Sequence, residues 1–191
     1  HFLSRTTNQR TDEYGGTLEN RGRFLREVIN EAREVTKGEL AITYRMIALE
    51  ARTRTIRIAT QLSDDRIRRM YRDYFAALGG NRVRRRRGKS PRQMSYFRRS
   101  LGHEQQAALV GSLLRLCNLL QRYPNGFRPV LEDVGRFCDA YETYLGLWPE
   151  GHISFEHAWH LWQVFCRDDE FVLSNCPDCA SLWVQDTLEI L

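Results

Sequence analysis

Apolar residues recur at steps of three and four early in the chain. In "TLENRGRFLREVINEAREVTKG", Leu18, Leu25, Val28, Ile29, Ala32 and Val35 share one face, the pattern of an amphipathic helix that Gly38 ends. "ELAITYR" follows and reads as a short strand, so helix passes directly into strand, as in an α/β unit. After Arg45 the pattern is helical, and no strand is predicted before the cysteines near the C-terminus. A helix is expected over 47–60, a break at "QLS", and a second helix over "DDRIRRMYRDYFAAL". Ser63 suits its N-cap, Asp64 and Asp65 favour its positive dipole end, and Gly79-Gly80 ends it. Two helices joined by a three-residue turn have the outline of a helix-turn-helix, and equally of any helical hairpin with a solvated basic face. Further helices are expected over 104–120, 130–147 and 154–172, with "YPNGFRP" and "WPEGH" between them. Leu113, Leu116, Phe137, Tyr141, Tyr144, Trp159, Trp162 and Phe165 fall there at helical spacing, as core or as a partner-binding face.

Charge divides the chain into the same zones. Residues 1–44 carry seven basic and seven acidic side chains, residues 45–100 seventeen and four, and residues 101–191 five and thirteen. The middle block is the electrostatic footprint of a polyanion binder, or else a solvated basic surface. It includes "NRVRRRRGKSPRQMSYFRRS", a loop in which Arg84, Arg85, Arg86 and Arg87 cannot all point inward. Guanidinium groups grip phosphate oxygens in pairs, so this arm predicts salt-sensitive contacts with little sequence information. Arg66 and Arg69, near the start of the second helix, are the candidates for base contacts.

At 191 residues and 42% hydrophobic, the chain can bury a sizeable core. No membrane-spanning run or signal peptide is predicted, and five cysteines, three of them in helical apolar stretches, suit a reduced, cytoplasmic setting. The absence of an initial Met suggests that His1 is not a natural start. Cys176 and Cys179 in "SNCPDCASLW" have the spacing of half a zinc site. His157 and His160 also stand three apart, but no further ligands are supplied elsewhere, and packing beside Trp159 is the favoured account. No nucleophile–base pair or Gly-rich phosphate loop is present, so no catalytic residue is expected.

"HFLSRTTNQRTDEYGGTLENRGRFLREVINEAREV" resembles the NADH:flavin oxidoreductase, or old yellow enzyme, family, through Asn8, Arg10 to Gly16 and Leu18 to Arg21. The resemblance implies a fragment of a flavin-carrying (β/α)₈ barrel over about residues 1–45, with Arg45 matching an arginine that approaches the flavin ring. A complete barrel needs about 250 residues. "MIALEARTRTIRIATQLSDDRIRRMYRDY", "RGKSPRQMSYF", "CNLL", "AYETYL", "AWHLWQVF" and "SNCPDCASLW" are, in order, similar to FlhC, a subunit of the bacterial flagellar master transcriptional regulator. That resemblance implies a DNA-binding activator acting with an FlhD-type partner in a hetero-oligomer at flagellar promoters. It also implies a four-cysteine zinc site, of which Cys176 and Cys179 would be the first and truncated pair.

Two unrelated resemblances meeting between Lys37 and Leu49 suggest a composite chain, whether a join, a frameshifted locus or a fusion. The expected organisation is a barrel-like fragment over 1–45, a basic helix-turn-helix-like region over 46–100 and a helical region over 101–191. The expected fold class is mainly α, and the leading functional expectation is a transcriptional activator that is not an enzyme. A flavin-dependent oxidoreductase fragment is the alternative, and a zinc-stabilised helical interaction module the third.

Overall fold

The computed structural model describes residues 2–36, 38–77, 93–167, 171–176 and 182–186. Two compact units emerge, His1–Leu40 and Ala41–Leu191. The described residues are mainly helical.

In the first unit a loop leads into helix α1, Leu18–Thr36. Thr17 caps it, its Oγ1 accepting a hydrogen bond from the Asn20 amide at 3.2 Å, and Glu19 places a carboxylate in the first turn. Gly38 follows at φ +76°, the left-handed conformation in which a helix commonly ends. The predicted helix is therefore present.

Helix α2, Glu39–Ala48, runs across the boundary at Leu40 and Ala41, where "ELAITYR" suggested a strand. Thr43, Met46 and Ile47 are buried, a spacing of three and four that suits a helix packed on a core. Burial on one helical face outweighs the local strand preference. After α2 the chain reverses at Glu50, and α3 spans Thr53–Thr60. The single helix expected over 47–60 is thus two. Glu156, from a distant helix, caps α3: its carboxylate accepts the Arg52 amide at 2.8 Å and the Thr55 hydroxyl at 2.9 Å. Those donors satisfy a carboxylate that is almost fully buried.

Helix α4, Asp64–Ala77, starts where expected, with Ser63 Oγ accepting the Arg66 amide at 3.4 Å. A short 3₁₀ turn at Met94–Tyr96 precedes α5, Leu101–Leu116, and α6, Leu131–Leu147. Helix α7, Phe155–Arg167, is shorter than the expected 154–172, because Phe171–Asn175 forms strand β1. It pairs antiparallel with β2, Leu182–Asp186, Leu173 lying opposite Val184. The hairpin lies on α5, and Gly111 lets it approach: a Cβ there would stand 2.8 Å from Leu173 Cδ1.

The core is aromatic. Phe137 of α6 stacks on Trp162 of α7 with ring centroids 4.9 Å apart, and both are fully buried with Tyr144 and Phe155. Trp162 Nε1 donates to the Leu119 carbonyl at 2.8 Å, so its one polar atom is satisfied. Of the predicted core residues, Phe137, Tyr141, Tyr144, Trp159, Trp162 and Phe165 are buried. Leu116 is 78% exposed, and Leu114 takes the inward position instead. Phe137→Ala should destabilise the chain by about 3–5 kcal/mol, measured by denaturant unfolding. Gly151→Ala, whose Cβ would fall 2.0 Å from Tyr144 Oη, should cost about 1–3 kcal/mol by overpacking.

Candidate functional site

The motif of the first unit folds onto itself. Asn8 sits at its centre, its side-chain amide donating to the Phe2 carbonyl at 2.8 Å and to the Tyr14 carbonyl at 2.7 Å. Its oxygen accepts the Arg10 amide at 3.3 Å. Asp12 accepts the Tyr14 amide at 3.1 Å and the Arg10 Nε at 3.0 Å. Hydrogen bonding from Arg10 holds the Asp12 carboxyl below its ordinary range. Gly15 comes so close to the chain that a Cβ would lie 1.8 Å from the Arg10 carbonyl oxygen, so glycine is required there. Arg21 returns from α1 to donate to the carbonyls of Leu3, at 2.9 Å, and Gly16. Tyr14 donates to Glu27 at 2.9 Å, and Phe2 stacks on Phe24 at 4.5 Å. The motif's polar groups thus shape a loop on α1 and do not converge on an open site.

Arg45, expected near a flavin ring, is occupied elsewhere. It lies on α2, and its Nε and one terminal nitrogen grip Glu142 of α6 at 2.8 and 2.6 Å. That nitrogen also donates to Asp139 at 2.5 Å, and the other donates to the Gly135 carbonyl at 3.3 Å. Hydrogen bonding to Glu142, with that to Asp139, raises the guanidinium pKa further. A flavin carbonyl would have to displace two carboxylates from this fork. As placed here, Arg45 is turned to α6 and not presented to a flavin.

The family profile described as NADH:flavin oxidoreductase / NADH oxidase matches residues 1–108, more than half of the chain. The chain belongs to this family. It is 61% identical over 41 residues to an NADPH dehydrogenase of Bacillus cytotoxicus, covering 22% of this chain and 12% of that protein. A 41-residue match to the Bacillus subtilis (strain 168) NADPH dehydrogenase is 58% identical, with the same coverage. A third, to the NADPH dehydrogenase of Bacillus pumilus (strain SAFR-032), is 50% identical over 58 residues, 30% of this chain and 17% of the relative. The chain therefore spans about one eighth to one sixth of the length of these relatives.

Membership in an oxidoreductase family overturns the leading expectation from the sequence. The chain belongs to a family of enzymes, and the flagellar activator reading, with its DNA and FlhD-type partners, is unsupported. Arg66 and Arg69 are exposed on α4, which packs against α3. Arg84, Arg85, Arg86 and Arg87 lie outside the described residues. The zinc expectation is likewise corrected, since the family implies FMN. Among the described residues no group of three His, Cys, Asp or Glu side chains is placed to hold a metal ion. Cys176 is half-buried just after β1, and Cys179 lies outside the described residues. His157 is engaged by Ser154 Oγ at 2.8 Å and stacks on Tyr96 at 3.8 Å, and His160 lies against Phe97. No helix among the described residues is long and apolar enough to cross a membrane.

The sequence reading missed the Arg45–Glu142 fork and the Glu156 cap. No local signal marks either, because each joins residues about a hundred positions apart.

Arg45→Met should lower stability by about 1–2 kcal/mol, the scale of hydrogen bonds to partly solvated charged groups, and a double-mutant cycle with Glu142→Gln should show coupling. Burial pushes the thiols of Cys138 and Cys166 up to about 12. A thiol pKa raised on folding favours the native state below about pH 8.5, and that contribution is lost as pH rises through the native value. At pH 8 a thiol reagent should therefore modify neither Cys138 nor Cys166 until denaturant is added, as read by peptide mass mapping.

Proposed function

We propose that this chain is a fragment of an FMN-dependent NADH:flavin oxidoreductase, and that residues 2–36 serve it as an architectural loop-and-helix segment. The observation that supports this most directly is the use of the motif's own polar groups. Asn8, Asp12, Gly15 and Arg21 tie the loop to itself and to α1. Such a segment holds its backbone in one shape without touching a reacting atom. FMN binding and hydride transfer from a reduced nicotinamide are then properties of a longer oxidoreductase.

A segment exchange tests this reading. The matching stretch of the Bacillus subtilis NADPH dehydrogenase is replaced by that of this chain, and the visible spectrum and NADPH oxidation are recorded. The exchanged enzyme should remain yellow and active. Asn8→Ala within the exchanged segment should release FMN by loosening the loop. A folded but colourless exchanged protein would overturn the proposal.

A further inference from the structure

Packing holds helix α4 in one orientation. Ile67, Met70 and Tyr71 are buried along one side, and the Tyr71 hydroxyl donates to the Ala51 carbonyl. By helical spacing Asp65, Arg68, Arg69 and Arg72 fall on the opposite side, where they line an open recess of about 490 Å³. Its volume lies within the range of small-molecule sites, roughly 300–1,000 Å³. Every described side chain that lines it is charged.

The charges in the recess do not cancel. Asp65 pairs with Arg68 at 3.0 Å, and the neighbouring Asp64 is taken by Arg57 of α3 at 3.6 Å. Arg69 and Arg72 hold no ion pair among the described residues. Side chains three and four positions apart on a helix are neighbours, with Cβ atoms roughly 5–6 Å apart, so Arg72 adjoins both Arg68 and Arg69. Like charges at that spacing destabilise a helix. Guanidinium groups crowded together without carboxylates, and held outward by the packing behind them, have the chemistry of an anion site. Each presents a planar fork of donors that matches two oxygens of one phosphate.

We propose that this recess binds the phosphate chain of a di- or triphosphate, Arg69 and Arg72 gripping successive phosphate groups. Arg68 exchanges Asp65 for a ligand oxygen. Two unpaired forks side by side favour a chain of phosphates, because a single phosphate fills one fork at a time. The Asp65 carboxylate, which repels any anion, adds to that preference, since only a multiply charged ligand gains enough to displace it from Arg68. The shared chemistry is the phosphate chain, whether free or carried by a nucleotide. The inference goes beyond the oxidoreductase reading and uses none of residues 2–36.

Sodium tripolyphosphate, titrated into the full chain at low salt and followed by two-dimensional NMR, tests the proposal, with orthophosphate and adenosine triphosphate as further arms. Saturable shifts should cluster between Asp65 and Arg72, and orthophosphate should bind at least about tenfold more weakly. Adenosine triphosphate should bind at least as tightly as tripolyphosphate. Equal affinity assigns recognition to the chain alone, and tighter binding assigns it to a nucleotide. Arg69→Gln and Arg72→Gln should each weaken tripolyphosphate about tenfold. Both change only exposed side chains, so the melting temperature should hold. Asp65→Asn should tighten binding about threefold by releasing Arg68. Arg54→Gln, on the exposed side of α3 and outside the recess, should leave the affinity within about twofold. An equal loss in Arg54→Gln, equal affinity for orthophosphate, shifts confined to residues 84–87, or no saturable shift up to about 10 mM would each overturn the proposal.

Discussion

The second unit depends on the contact between Phe137 and Trp162. Two large rings stacked at 4.9 Å and fully buried hold α6 against α7, and Phe155 and Trp159 extend the cluster through edge-to-face contacts with Phe137. The indole N–H reaches the Leu119 carbonyl, so the loop after α5 is tied to the same ring. Once α6 and α7 are fixed, their outward groups become fixed points for the earlier helices. Glu142 and Asp139 of α6 receive Arg45 of α2, and Glu156 of α7 caps α3.

That arrangement bears on the family assignment. The profile match runs through residue 108, across the boundary between the two units at Leu40 and Ala41. The motif over Asn8 to Arg21 falls on a loop and helix start tied together by their own hydrogen bonds. Arg45 is the residue whose family role would be most directly chemical, and it is held by carboxylates from a part of the chain beyond the match. A guanidinium in a fork of two carboxylates is a structural tie, whatever its counterpart does elsewhere.

Much of the fold was legible in the sequence, because much of it is periodic. Leu18, Leu25, Val28 and Ile29 announced α1, Ser63 with two following aspartates announced α4, and the aromatic spacing from Phe137 to Phe165 announced two core helices. The errors fell where the window was short. "ELAITYR" is seven residues rich in β-formers, too short for its period to separate strand from helix. "FVLSN" joined the preceding helical run and was recognisable as a strand only through its pairing with Leu182–Asp186. The DNA and zinc expectations rested on charge runs, on one cysteine pair and on a series of short likenesses to FlhC, patterns too modest one by one to carry a function.

By itself the sequence determined most of the amphipathic helices, the Ser63 cap of α4 and the loop motif of the flavin oxidoreductase family, all of which depend on neighbours within a few residues. Tertiary structure decided that α2 is a helix, that Arg45 faces Glu142 and Asp139, and that Glu156 caps α3. The reason is physical. A short segment's preference between strand and helix amounts to about 1 kcal/mol, whereas burying one face of α2 and pairing its arginine draw on groups about ninety to a hundred residues away.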